Sequence, residues 1–120
     1  MTASVLDGAA MAAEVLSTLR PRIAALAARG VQPGLATVLV GDNPASRSYV
    51  RNKLRTCAET GLHAELHELP ATCAESDILA RVAELNECAA VHGIIVQLPL
   101  PAGVNTQRIL QSVALAKDVD

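Results

Sequence analysis

The chain has 120 residues, enough for one domain around one hydrophobic core. Its formal charge of −2 gives no basic field for nucleic acid or an anionic membrane, and no apolar run reaches the ~20 residues that span a bilayer. Hydrophobic residues make up 51% of the chain yet include no Phe, no Trp and one Tyr, so Ala, Val, Leu and Ile must fill the core by close helix-on-sheet packing.

Ala3 to Leu6 is a short apolar start of edge-strand character, and Asp7 can cap a following helix. Met11, Val15, Leu16, Leu19, Ile23 and Leu26 recur at helical spacing. Pro21 should kink or divide that helix, and Gly30 should end it. Leu35 to Val40 (LATVLV) is an almost unbroken apolar run, which predicts a strand buried on both faces and therefore a parallel sheet. After Gly41-Asp42-Asn43-Pro44 a helix is expected from Ala45 to Thr60, closed by Gly61. Leu62 to Leu69 alternates apolar with polar, as a half-exposed strand does. Ser76 or Asp77 should open a helix with Ile78, Val82 and Leu85 inward. Gly93 to Leu98 (GIIVQL) is a second buried strand, stopped by Pro99 and Pro101, and a short helix spans Thr106 to Val113. This alternation predicts an α/β class: a three-layer α/β/α domain around a small, mostly parallel sheet. The chain stops after Asp120 with nothing resembling a tail, as at a domain boundary.

Cys57, Cys73 and Cys88 are odd in number and form no CxxC pair, so they read as small buried or half-buried thiols. Free thiols and the absence of a basic stretch followed by an apolar one suggest a cytoplasmic protein without a signal peptide. His63 and His67 lie four apart on a strand rather than a helix, so no metal site is expected. No GxGxxG marks a dinucleotide site.

In open α/β sheets ligands bind at the carboxyl ends of strands. The two apolar strands end in VGDNPAS and VQLPLP, where Gln97 interrupts an apolar run. Tyr49, the sole aromatic residue, precedes Lys53 by one helical turn. The pair could stack and hold a flat ligand ring, or be an ordinary half-buried tyrosine beside a solvated lysine. Arg47, Arg51, Lys53 and Arg55 form a basic cluster that is either a solvated helix face or an anion site. Lysine suits acid/base work, because cationic neighbours and desolvation lower its pKa. Gln97 could merely cap backbone groups, and Asp118 and Asp120 could be plain solvated carboxylates.

Together VGDNPASRSYVRNKLRTCAETG, GIIVQLPLP and KDVD, in this order and at these intervals from about Val5 to Asp120, resemble the N-terminal tetrahydrofolate-binding catalytic domain of the bifunctional methylenetetrahydrofolate dehydrogenase/cyclohydrolase family. The resemblance implies that residues 1–120 are that catalytic domain. It also implies a Rossmann-type NADP- or NAD-binding domain that is absent from this chain. The activities implied are oxidation of 5,10-methylenetetrahydrofolate to the methenyl form and hydrolysis of that to 10-formyltetrahydrofolate, in the one-carbon chemistry that serves purine biosynthesis. The partners implied are tetrahydrofolate derivatives and a second copy in a homodimer. By the same resemblance Lys53, Gln97 and Asp120 are the catalytic residues. Tyr49 stacks on the folate ring, Gln97 hydrogen-bonds Lys53, Asp120 holds the pterin edge, and Leu98 and Pro99 shape the cleft wall. The reading from another class is a non-catalytic α/β module that binds an anion or a partner through the basic cluster; a third is an interaction domain with an exposed strand edge.

Overall fold

The computed structural model describes residues 8–119. The expected strand at Ala3 to Leu6, the cap at Asp7 and the side chain of Asp120 lie outside the described residues. Within them the chain runs α1 (Gly8–Ala28), β1 (Gly34–Val40), α2 (Pro44–Thr60), β2 (His63–Leu69), α3 (Glu75–Asn86), β3 (Gly93–Val96), α4 (Thr106–Ser112) and a single 3-10 turn (Leu115–Lys117).

The sheet has the order β2-β1-β3, and both neighbours run parallel to β1. Val38 pairs with His67 on one side and Val96 on the other. The two unbroken apolar runs are therefore adjacent buried strands, as expected. Alternation along β1 splits its side chains between two layers. Ala36, Val38 and Val40 join Ile94 and Val96 in a core closed by Ile78, Val82 and Leu85 of α3 and by Ile109 of α4. The opposite face carries Leu35 and Leu39 against α2, whose Val50 and Cys57 are buried. α1 lies outside that layer, against α2, and Ile23 is its buried residue. The result is the expected three-layer α/β/α order.

Some local expectations need correction. Pro21 does not divide α1, which runs as one helix from Gly8 to Ala28. Proline removes one donor, and here both Pro21 and Ser17, whose carbonyl loses its partner, are exposed, so water can take the missing place. α3 begins earlier than Ser76: its cap is Ala74, whose N–H donates to the Asp77 carboxylate at 2.9 Å. β3 ends at Val96 rather than Leu98 because Pro99 follows and cannot donate; only the Gln97 N–H still reaches β1, at the Val38 carbonyl 2.9 Å away. Among the described residues β2 pairs on one side only, and its side chains are half-buried or exposed throughout.

Gly34 is sterically obligatory: a Cβ there would lie 2.1 Å from the Ala90 carbonyl oxygen.

The second core layer is fastened at its edge by Glu75. Its carboxylate accepts the Asn105 N–H at 2.6 Å and an Arg108 N–H at 3.3 Å, joining the start of α3 to the start of α4. Those bonds, the Asn105 one first and the Arg108 guanidinium second, hold the Glu75 carboxyl below the usual carboxylate range. A depressed folded value stabilises the fold above the unfolded carboxylate value of about 4.3, and that contribution is lost as pH falls through the lower folded value. Glu75→Gln should therefore lower the thermal midpoint at pH 7, and the gap to the unsubstituted chain should close in acid below pH ~4. Melting curves at both pH values check this; a gap that persists unchanged in acid would show that the charge on Glu75 contributes nothing.

Candidate functional site

α2 is held at both ends by local chemistry. The Asn43 side chain accepts the Ser46 N–H at 3.1 Å, Pro44 occupies the first turn, and Gly61 closes the helix at φ 88° with its N–H on the Cys57 carbonyl. This fixes which residues face the sheet. Ser46, Val50 and Cys57 are buried, and Lys53 falls on the same stripe by helical spacing. Lys53 is accordingly half-buried rather than solvated.

Gln97 leaves the carboxyl end of β3 and meets it. The Lys53 Nζ donates to Gln97 Oε1 at 2.9 Å. The other end of the amide is also engaged, since Gln97 Nε2 donates to the Leu98 carbonyl at 3.3 Å. The same carbonyl accepts the hydroxyl of Ser46 at 3.4 Å. With its nitrogen committed to Leu98, the amide presents its oxygen to the ammonium. The pair is neutral on one side, so Lys53 is oriented without being fixed in a salt bridge.

The remaining expected residues are arranged around this contact. Tyr49 lies one turn before Lys53 on α2, beside rather than on the buried stripe, and is 62% exposed, leaving its ring open to stack. Leu98 and Pro99 are exposed just beyond Gln97, joined by a cis peptide bond. Asp120 lies outside the described residues. Lys53 also borders a hollow of about 360 Å³ lined by Leu35, Asn52, Thr56, Cys57 and Ile95. Burial pushes the Cys57 thiol up, so it is a protonated wall of that hollow rather than a nucleophile.

The basic cluster does not converge. Arg47 is held by Asp42 at 2.6 Å and Glu68 at 2.7 Å. These two carboxylates, Asp42 first, raise the Arg47 pKa further. Arg55 donates to Asn52 at 2.9 Å on the exposed side of α2. Of the four cations, Lys53 is the one turned to the carboxyl end of β3. Ser46 was not singled out in the sequence; the spacing 46, 50, 53, 57 on the buried face of α2 was the available signal. Among the described residues no group of three His, Cys, Asp or Glu could hold a metal ion, and no helix is long and apolar enough to cross a membrane.

Known proteins resemble the chain over its whole length. Residues 6–120 match the catalytic domain of the tetrahydrofolate dehydrogenase/cyclohydrolase family. The bifunctional protein FolD of Polaromonas naphthalenivorans is 52% identical over 120 residues, covering all of this chain and 43% of that protein. The crystal structure of the bifunctional FolD methylenetetrahydrofolate dehydrogenase/cyclohydrolase from Campylobacter jejuni superposes with a TM-score of 0.95 at 39% identity, over 98% of this chain and 42% of that one. The Trypanosoma brucei FolD, solved with NADP and an inhibitor, gives 0.93 at 36% identity, over 100% of this chain and 41% of that one. The chain thus spans about 43% of the length of such relatives. It belongs to the tetrahydrofolate dehydrogenase/cyclohydrolase family, within the part described as its catalytic domain.

Proposed function

We propose that this chain is the folate-binding and catalytic-lysine half of a bifunctional enzyme. That enzyme oxidises 5,10-methylenetetrahydrofolate to 5,10-methenyltetrahydrofolate with NADP or NAD and hydrolyses the product to 10-formyltetrahydrofolate. The observation that carries the reading is the 2.9 Å hydrogen bond from Lys53 to Gln97 at the carboxyl end of β3, where open α/β sheets bind their ligands. The relatives named above are dehydrogenase/cyclohydrolases, and one was solved with NADP.

The residues of this chain do not fit a dinucleotide. Among the described residues none of the three strand-to-helix turns has the glycine spacing that cradles a pyrophosphate, and the turn after β1 is occupied by the Arg47–Asp42 pair. The nicotinamide belongs to a second domain outside residues 1–120, and hydride transfer is assigned no residue here. What these residues can do is hold the folate and move protons. Tyr49 offers its exposed ring to the planar pterin. Asp120 accepts the pterin's amino-pyrimidine hydrogens. Water adds to the methenyl carbon, an electrophilic amidinium-type centre, and forms a C–O bond. Its oxygen gives up one proton on addition and the second as the bond from that carbon to N5 breaks and the carbonyl forms; N5 takes up one proton, the other is released, and the formyl group remains on N10. Lys53, oriented by Gln97, carries protons between these atoms.

The anion-module alternative loses its main support because Arg47 is already neutralised by two carboxylates. Among the described residues the β2 edge is unpaired on one side, but His63, Glu65 and His67 give that strand polar and charged groups that discourage pairing. Family membership also suggests a soluble cytoplasmic enzyme that works as a homodimer.

The test is hydrolysis of 5,10-methenyltetrahydrofolate followed by loss of its conjugated chromophore. Hydrolysis faster than the uncatalysed reaction, reduced by Gln97→Leu, supports the assignment. Hydrolysis by the unsubstituted chain that Gln97→Leu leaves untouched would remove Gln97 from the mechanism.

A further inference from the structure

The Lys53–Gln97 contact is one link in a closed circuit of hydrogen bonds that begins and ends on α2. Lys53 Nζ donates to Gln97 Oε1 at 2.9 Å, and Gln97 Nε2 donates to the Leu98 carbonyl at 3.3 Å. The Ser46 hydroxyl donates to that same carbonyl at 3.4 Å, which returns the circuit to the helix that carries Lys53. Ser46 is a fixed point. It is 3% exposed, and its own N–H is taken by the Asn43 side chain at 3.1 Å. A hydroxyl buried on an otherwise apolar stripe is costly unless it is bonded, and the Leu98 carbonyl is its partner. The peptide between Leu98 and Pro99 is the opposite case. Both residues are exposed, and Pro99 has no N–H, so the carbonyl is the one hydrogen-bonding group of that peptide. Among the described residues Ser46 is the group beyond Gln97 that takes it.

We infer that Ser46 is a positioning residue for the hydrolysis: by holding the Leu98 carbonyl it keeps the Gln97 amide oxygen turned toward the Lys53 ammonium. The inference rests on the folate reading above and goes beyond it, since Ser46 acts through Gln97 and not on substrate. A glutamine amide swung half a turn about its last bond would present N–H groups to an ammonium, which has only donors. The Leu98 carbonyl opposes that swing by accepting from Gln97 Nε2, and it does so only while it stays in place. Without the Ser46 hydroxyl, an exposed peptide with one polar group is free to turn that group to water. Gln97 then becomes a rotor, and Lys53 loses a fixed partner.

The test follows the side-chain amide signals of Gln97 by NMR and the hydrolysis of 5,10-methenyltetrahydrofolate. The chains compared are the unsubstituted one, Ser46→Ala, Gln97→Leu and the Ser46→Ala/Gln97→Leu double variant. Alanine favours a helix more than serine does, so α2 should be intact by circular dichroism. Ser46→Cys, a weak donor of similar size, replaces Ser46→Ala if the latter does not fold. Ser46→Ala should lower kcat by ~2- to 10-fold, the weight of one neutral hydrogen bond, with KM little changed. It should also shift the Gln97 amide signals and speed their exchange with water. In the Gln97→Leu background Ser46→Ala should add little, because the group it positions is already gone. A merely structural role would give losses that multiply in full. Losses of that kind, unchanged Gln97 signals or an unchanged kcat in Ser46→Ala overturn this inference and leave the folate reading standing. Absence of hydrolysis by the unsubstituted chain overturns the folate reading, and this inference with it.

Discussion

Replacing Lys53 with methionine is expected to slow hydrolysis of 5,10-methenyltetrahydrofolate by at least ~10²–10⁴-fold, the usual contribution of a general acid/base, while leaving the fold intact. Methionine keeps the unbranched stem that packs on the sheet-facing stripe of α2 and removes the ammonium that bonds Gln97 at 2.9 Å. Arg55→Met is the matched control. It removes a nearby charge from the exposed side of the same helix, where the guanidinium donates only to Asn52. Rates with the methenyl substrate, and folding by circular dichroism, distinguish the outcomes. A large loss for Lys53→Met with little change for Arg55→Met identifies Lys53 as the proton carrier. Equal losses would mean that only the total basic charge of α2 matters, and the anion-binding module would become the better reading.

A second large effect is expected in the dehydrogenase reaction. Residues 1–120 alone should not oxidise 5,10-methylenetetrahydrofolate at a useful rate with NADP or NAD. Hydride transfer needs donor and acceptor carbons held in near-attack contact, and such holding is worth effective concentrations of about 10⁵–10⁸ M. Nothing in this chain has the glycine-rich turn that would place a nicotinamide. The check is formation of reduced cofactor, by absorbance, in the presence of the methylene substrate. Robust turnover would refute the assignment of the nicotinamide to a second domain.

Strands were legible in the sequence where burial is uniform or strictly alternating. LATVLV and GIIV could only be two-sided core, and they are neighbours; HAELHEL showed its half-exposed state by alternation. Element ends were harder, because they depend on which residue supplies one hydrogen bond. Asp77 serves α3 from inside its first turn rather than at its cap. Pro21, expected to kink or divide the helix, does not divide it, because it sits where the helix is exposed. The candidate site divides in the same way. The one-turn spacing of Tyr49 and Lys53 is local and readable. The meeting of Lys53 with Gln97, 44 residues away, depends on tertiary packing, and only the family resemblance suggested it. The Ser46 hydroxyl on the Leu98 carbonyl and the hold of Asn86 and Lys117 on α3 depend on where loops return, which no periodicity encodes. The basic cluster was misleading as a group, since sequence proximity does not show that Asp42 and Glu68 take up Arg47.

The most direct test of the folate site is a titration of the chain with tetrahydrofolate, followed by emission from Tyr49, with inorganic phosphate as the comparison. The chain has one Tyr and no Trp, so no other side chain complicates the signal. A pterin stacked on Tyr49 should change its emission saturably, and Lys53→Met should alter the affinity, while phosphate leaves the emission unchanged. A saturable response to phosphate with none to tetrahydrofolate would contradict the folate site and establish an anion-binding module in its place.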